Sequence, residues 1–356
     1  NSGTTRKRTK AEIEAAIKEV DHQNRQTLRS LEAHSKIPKT TLLNHMKESN
    51  VKAKSSYSKP MLSDDNKDDR MRFASSFLRP QSNGTHLFAP MHEYVHVDEK
   101  WFFLTKAKKK FYVYEDETLA LRAVKNKKFI TKVMFLAAVA RPRYDPHRRR
   151  EFDGKIGIWP FVHRTPAKRT SKNRVEDTVE TKPQNVDSRA YFNMMLNNVV
   201  PAIQAKFPLQ DLRSGVMLQQ DNASPHKIVS NDILRHNGIE GIGVIEQPPN
   251  SPDYNVLDLG FFNSIQSLQH QKSTKTIEEL IDAVERAFVE LPNANLSKTF
   301  ITLQKVLEKS LDIHGGNTYK FPHMSKDANI KDLASYNVEC DPEVLVSALS
   351  HMSSLI

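Results

Sequence analysis

The sequence contains a single cysteine, Cys340, in 356 residues. One thiol excludes an internal disulfide framework and any zinc site built from cysteines, and it fits a reducing compartment such as cytosol or nucleus. Long apolar runs are also missing. No stretch approaches the ~18 residues that a membrane-crossing helix requires, which excludes an integral helical membrane protein. The chain starts Asn1-Ser2-Gly3, with neither an initiator Met nor the charged-then-apolar pattern of a signal peptide, and reads as a fragment start or a processed end. Acid is in short supply: 42 Asp+Glu stand against 53 Lys+Arg, a formal charge of +11. Such an excess points to a polyanionic partner, most often nucleic acid. The length and a 38% hydrophobic content allow two or three domains around a sizeable core.

The positive charge is concentrated. Between Lys100 and Arg174 there are 21 Lys/Arg against 6 Asp/Glu. The densest clusters are Lys106 with Lys108-Lys109-Lys110, Lys125 to Lys128, Arg148-Arg149-Arg150, and Lys168-Arg169. A solvated surface carrying nuclear-import signals has this pattern, and so does a track for the DNA backbone; charge alone does not separate them.

The N-terminal part has helical periodicity. Ile13, Ile17 and Val20 form one apolar stripe over Ala11 to Val20, and Leu28 and Leu31 form another over Thr27 to His34. After a turn, Pro38 suits the start of a third helix, Lys39 to Lys47, with Leu42, Leu43 and Met46 inward. Helix, short turn, helix is the pattern of a helix-turn-helix. Thr40, Thr41, Asn44 and His45 are then expected to face outward toward bases, with Lys39 and Lys47 near phosphates. A plain small helical bundle is the competing reading. Residues 1–50 form this region, and residues 51–90 read as a linker with a helix over Asp64 to Leu78.

The pattern then changes. Tyr94 to Leu104, Lys110 to Glu115 and Val133 to Ala140 read as strands, the last as a central one. Arg141 to Asp187 is long and irregular, with Gly154 to Val162 a possible hairpin piece. Helix Val186 to Phe207, strand Gly215 to Gln220, helix Pro225 to Asn237, strand Gly241 to Ile245 and helix Asn255 to Gln271 follow. The order suits a mixed sheet flanked by helices, an α/β sandwich over residues 91–275. Two more helices, Thr276 to Leu291 and Leu296 to Leu311, open a C-terminal helical region over 276–356, of which residues 315–356 are less regular.

Three aspartates sit at informative places: Asp98 inside the first strand, Asp221 just past the end of a later strand, and Asp258 at the start of the helix after Pro248-Pro249-Asn250-Ser251-Pro252. Hydrolysing a phosphodiester requires charge neutralisation and an activated oxygen nucleophile, and two Mg²⁺ ions held by convergent carboxylates supply both. Each residue has a structural alternative. Asp221 could be a turn residue, and Asp258 a capping-box carboxylate with Asn255 as N-cap. Asp253 is a competing ligand whose place after Pro252 suggests loop stabilisation. Asp98 is harder to explain that way, because Asp is disfavoured within strands. Its neighbour Glu99 should point to the opposite face. Trp101 reads as core more readily than as a contact residue.

His96-Val97-Asp98-Glu99-Lys100-Trp101-Phe102, Gln220-Asp221-Asn222-Ala223-Ser224-Pro225-His226 and Pro249-Asn250-Ser251-Pro252-Asp253-Tyr254-Asn255-Val256-Leu257-Asp258 together resemble the three signature blocks of mariner-like transposases, most closely those of plant and related eukaryotic elements. The resemblance spans roughly residues 25 to 325. It implies an RNase H-like core preceded by an all-α helix-turn-helix domain. The family usually has two such helix-turn-helix units, of which one is plain here. It also implies an acidic triad falling on Asp98, Asp221 and Asp258, with two Mg²⁺, or Mn²⁺, as cofactors. The implied reaction is endonucleolytic cleavage at the transposon's terminal inverted repeats, then attack of the freed 3′-OH on double-stranded target DNA at TA, carried out by a homodimer in the nucleus. His226 and Asn222 are expected to orient ligands or phosphates or to serve the structure. Lys108, Lys109, Lys110, Arg148, Arg149 and Arg150 are expected to hold the DNA backbone. Two rivals remain at this level: a domesticated, non-catalytic DNA-binding protein, and an RNase H-like nuclease acting on RNA hybrids.

Overall fold

The structure, a computed structural model, describes residues 8–48, 58–105, 117, 130–170, 175–322, 324 and 326–354. The chain forms two compact units, Asn1–Ser58 and Lys59–Ile356.

The first unit contains helices α1 (Lys10–Glu19), α2 (Leu28–Ser35) and α3 (Lys39–Glu48). Thr9 caps α1 through a reciprocal capping box with Glu12, and the Thr27 hydroxyl caps α2. Ile13, Val20, Leu31, Ile37 and Leu42 make the core. One feature of α3 departs from the periodicity reading. Leu42 is buried, but Leu43 is exposed, and the inward position one turn on from Leu42 belongs to His45. His45 therefore packs inside and does not face outward as expected.

The second unit is built on a five-stranded sheet of β1 (Tyr94–Phe103), β2 (Lys132–Ala140), β3 (Lys155–Pro160), β4 (Val216–Gln220) and β5 (Ile242–Glu246), in the order β5-β4-β1-β2-β3. β1, β2 and β3 run antiparallel in sequence, while β4 and β5 add to the other side of β1 in parallel. Within the stretch expected to be irregular, the possible hairpin piece at Gly154 to Val162 thus supplies the third sheet strand. Val162–Pro166 pairs instead with Val179–Pro183 in a separate hairpin. The strand expected at Lys110 to Glu115 lies outside the described residues, as do Lys108, Lys109, Lys110 and the Lys125 to Lys128 cluster.

Strand alternation divides β1 between two cores. Val95 and Val97 face one side, where Leu136 and Ala138 of β2 join them under Tyr191, Met195 and Ile203. Those last residues come from one long helical segment covering that face. Before it in the chain, α4 (Asp64–Ser75) packs on the opposite face. The covering segment begins as α5 (Ser188–Met194), passes through a π-turn (Met195–Val199) and ends as Val200–Lys206. The opposite core holds Phe102, Phe135 and Val139 against Met71 of α4 and against α6 (Phe262–Gln269), α7 (Ile277–Glu290), α8 (Asn293–Asp312) and α9 (Pro342–Ser353). The linker helix and the C-terminal helices share this core with the sheet, so the limits read at 90/91 and 275/276 fall inside one folded unit. The less regular C-terminal stretch contains α9 and a short strand, Glu339–Cys340, paired with His86–Phe88.

Candidate active site

Parallel pairing brings the first two aspartates level. Gln219 of β4 is in register with His96 of β1, so Asp221, two residues on, comes beside Asp98. The third arrives through the proline-rich loop, where Asn250 adopts the left-handed conformation that asparagine tolerates, with φ of +57°. Asn255 then ties the chain back to β1. Its Nδ2 donates to the Val97 carbonyl at 3.1 Å, and its Oδ1 accepts from the Leu257 amide at 3.0 Å. Asp258 follows on a π-turn, Leu257–Phe261, a local geometry enriched at functional sites. Asp98, Asp221 and Asp258 line one cavity of about 310 Å³, together with Asn222, Gln247 and the loop from Pro248 to Pro252. Asn222 places a buried, unpartnered Oδ1 in this region, as judged among the described residues.

Each carboxylate is held by one oxygen. The Glu99 amide donates to Asp98 Oδ1 at 2.8 Å, the Ala223 amide donates to Asp221 Oδ1 at 3.0 Å, and Lys100 Nζ donates to Asp258 Oδ1 at 3.2 Å. The capping-box alternative for Asp258 does not occur, because the Asn255 amide donates to the Pro252 carbonyl instead. Asp253, the competing ligand, has both oxygens bonded to Arg70 at 2.8 Å and accepts a further bond from the Tyr319 hydroxyl. It stabilises the loop, as its position suggested.

Beneath the cavity lies a chain of charges that the sequence only hinted at. Glu99 does point to the face opposite Asp98, and there its Oε1 meets His226 Nε2 at 3.0 Å. The other ring nitrogen of His226 forms an ion pair with Asp221. Tyr191 stacks on the imidazole at 4.0 Å and donates its hydroxyl to Gln220 Oε1. Burial opposes a charge on His226, but the pairs with Asp221 and Glu99 outweigh it and push the pKa up to about 10, so the ring is an imidazolium at neutral pH. Burial likewise raises Asp221, and the partnership with His226 more than reverses this and holds the carboxyl below its ordinary range. Asp98 goes the other way: burial, then the charges of Asp258, Glu99 and Asp221, hold its carboxyl well above the usual value. His96, on the same strand face as Asp98, is packed edge-on to Phe300 and kept neutral by burial, its pKa lowered to about 3.

Among the described residues, no three acidic or histidine side chains stand close enough to form a ready-made metal cage. The donor set nevertheless fits a hard divalent cation. Three carboxylates converge on one cavity, each has a second oxygen left for a ligand, and the charged form of Asp98 is disfavoured by burial and by neighbouring negative charge that a cation would offset.

The other candidate residues are dispersed. On α3, Lys39, Thr40, Asn44 and Lys47 are exposed, and Thr41 is half-buried. Arg149 and Arg150 are exposed, whereas Arg148 donates to the carbonyls of Ala205, Lys206 and Phe207 and so caps the end of the helical segment over the sheet. Trp101 is half-buried beneath Lys132, whose ammonium lies 3.9 Å from the ring centroid, and is not core.

No family model matches the sequence, and no curated protein does. Solved structures do. A pre-cleavage Mos1 transpososome aligns over 90% of this chain and 82% of that one, at 18% identity and a TM-score of 0.59. This chain has the fold of the Mos1 mariner transposase. The Mos1 strand transfer complex aligns over the same shares at 18% identity and a TM-score of 0.58, as does the Mos1 paired end complex with Mg. A further Mos1 paired end complex was solved with Mn. The N-terminal helical unit of this chain and its mixed sheet flanked by helices match the fold class expected from the sequence.

Proposed function

We propose that the protein is a metal-dependent DNA transposase, cleaving the ends of a mobile element and joining them to target DNA. The observation that carries this reading is the single cavity lined by Asp98, Asp221 and Asp258 at the centre of the sheet. These three carboxylates would hold divalent cations, Mg²⁺ or Mn²⁺; when bound, such ions neutralise a phosphodiester and lower the pKa of an attacking water or 3′-OH. The residues around them supply rigidity. Asn255 fixes the Asp258 turn against β1, and the pair with His226 holds the Asp221 carboxyl below its ordinary range. Support for DNA as substrate comes from the +11 charge and from the fold shared with a protein crystallised as a transpososome. A homodimer acting in the nucleus belongs to the same reading. The test is nicking of DNA that carries terminal inverted repeats, sought in the genomic DNA on either side of the coding sequence. Nicking should require Mg²⁺ or Mn²⁺ and stop on chelation; equal nicking in a chelator overturns the proposal.

On this reading α3 docks on the duplex. Lys39 and Lys47 stand at its two ends, with Thr40 and Asn44 exposed between them. If both lysines contact phosphates, changing Lys39 and Lys47 to Ala together makes the plot of log affinity against log salt shallower by roughly 2. Fluorescence anisotropy over a salt series measures this, and an unchanged slope removes α3 from the interface.

A further inference from the structure

We infer that Glu99 and Lys100 are positioning residues, each setting one of the other two site aspartates from the strand that carries Asp98. This rests on the metal-holding function proposed above and goes beyond it, because neither residue need touch metal or DNA to act.

The argument begins with the pleat. Consecutive residues of a strand point to opposite faces, so Asp98 and Lys100 share one face and Glu99 takes the other. Lys100 reaches across its face to Asp258 Oδ1 at 3.2 Å. Glu99 reaches beneath the sheet to His226 Nε2 at 3.0 Å, and the opposite nitrogen of that ring pairs with Asp221. His226 cannot turn away, because it is buried, stacked on Tyr191 and flanked by Gln220, whose amide donates to the His226 carbonyl at 3.1 Å. Each aspartate is therefore gripped at Oδ1 by a group traceable to β1, which leaves the second oxygen for a ligand. Asp98 itself receives the Glu99 amide at 2.8 Å. Three adjacent residues of one strand thus arrange carboxylates that arrive from three separate segments of the chain.

A carboxylate–histidine pair behind a metal ligand fixes that ligand's orientation, and losing such a partner typically costs about 10–100-fold in metal affinity. The two arms predict separate effects. Glu99→Gln should raise the Kd for Mn²⁺ by about 10-fold, and Lys100→Met by a similar factor. The distinguishing readout is coupling. In a His226→Gln background, Glu99→Gln should add almost nothing, since its arm is already cut. In an Asp258→Ala background, which leaves the ammonium no side-chain oxygen to hold, Lys100→Met should add almost nothing. Across arms, Glu99→Gln with Lys100→Met should combine multiplicatively. Isothermal titration of the full chain with Mn²⁺ measures each Kd, and circular dichroism establishes that each variant is folded. Gln and Met preserve the size of the residues they replace, which limits packing damage. Wild-type protein that binds Mn²⁺ while both single variants bind it equally well overturns the positioning role alone. So does full additivity of Glu99→Gln with His226→Gln, which would mean that Glu99 acts by some route other than the ring. Wild-type protein that binds no Mn²⁺ overturns the metal-holding function itself, and this inference with it.

Discussion

Asp98→Asn is expected to slow metal-dependent strand cleavage by about 10³-fold while making the metal-free protein more stable. The first effect follows from removing a charged ligand. Metal stabilisation of a phosphoryl transition state is worth several kcal/mol, and about 4 kcal/mol corresponds to about 10³ in rate. The second follows from repulsion. The Asp98 carboxyl is pushed well above its ordinary pKa by burial and then by Asp258, Glu99 and Asp221, against one stabilising bond from the Glu99 amide. The folded state therefore holds the Asp98 proton more tightly than the unfolded state does. The corresponding stability is fully present below the unfolded value of about 3.9 and is lost as pH rises through the higher folded value. As pH rises above the unfolded value, keeping this carboxyl in the site becomes a cost to the apo fold, which Asn removes while its amide oxygen can still accept the Glu99 bond. Mg²⁺ should raise the melting temperature of the wild type more than that of the variant. Melting curves at pH 5 and pH 8, with and without Mg²⁺, measure all of this. A variant that melts lower than wild type in the absence of metal would contradict the repulsion account.

Several parts of this arrangement were legible in the residues, for identifiable physical reasons. The β1 and β2 strands announce themselves by apolar and aromatic density, and β4 and β5 by short apolar runs closed by turn residues. Asp98 stood out because a carboxylate amid Val97, Trp101 and Phe102 needs a reason to be there. The opposite orientation of Glu99 follows from the pleat alone. Its partner did not follow, because the His226 contact joins residues 127 positions apart, and no local pattern encodes such a pairing. The third sheet strand showed in the sequence only as a possible hairpin piece, because Lys155 and Gly157 interrupt its apolar run and the Lys155 ammonium finds its acceptors in the distant carbonyls of Val289 and Leu291. The face of α3 was misread because Leu43 is more hydrophobic than His45. Helical geometry one turn on from Leu42 overrides that preference, and the buried ring carries an Nδ1 with no partner among the described residues. Asp253 shows the reverse, since its position after Pro252 already suggested a loop-holding role before Arg70 was seen to occupy both its oxygens.

That buried pair carries the largest stability prediction. Arg70 is fully buried in α4 and grips Asp253 with both terminal nitrogens at 2.8 Å, while its Nε donates to the Gly315 carbonyl at 2.7 Å and its guanidinium lies 4.2 Å from the Tyr254 ring centroid. The Gly315 backbone has φ of +77°, and a Cβ there would come within 2.1 Å of the Lys67 carbonyl, so the turn is pressed directly onto α4. Arg70 thus joins three segments: the helix before the sheet, the turn after α8, and the loop that delivers Asp258. Arg70→Met leaves Asp253 inside without its cation, an arrangement that typically costs about 3–5 kcal/mol. Removing both charges should cost less, because paying to bury an ion pair is itself unfavourable and Met and Leu can fill the space. Urea unfolding of Arg70→Met, Asp253→Leu and the double variant measures the difference, with the double variant expected to be more stable than Arg70→Met. The consequence for chemistry is separable from stability. Asp253 lies five residues before Asp258, so a double variant that regains stability without regaining cleavage would mean that the pair sets the position of the loop. Full recovery of both would assign it to stability alone. A loss below about 1 kcal/mol in Arg70→Met, the range of an exposed ion pair, would show that the guanidinium is not the fastener these contacts describe.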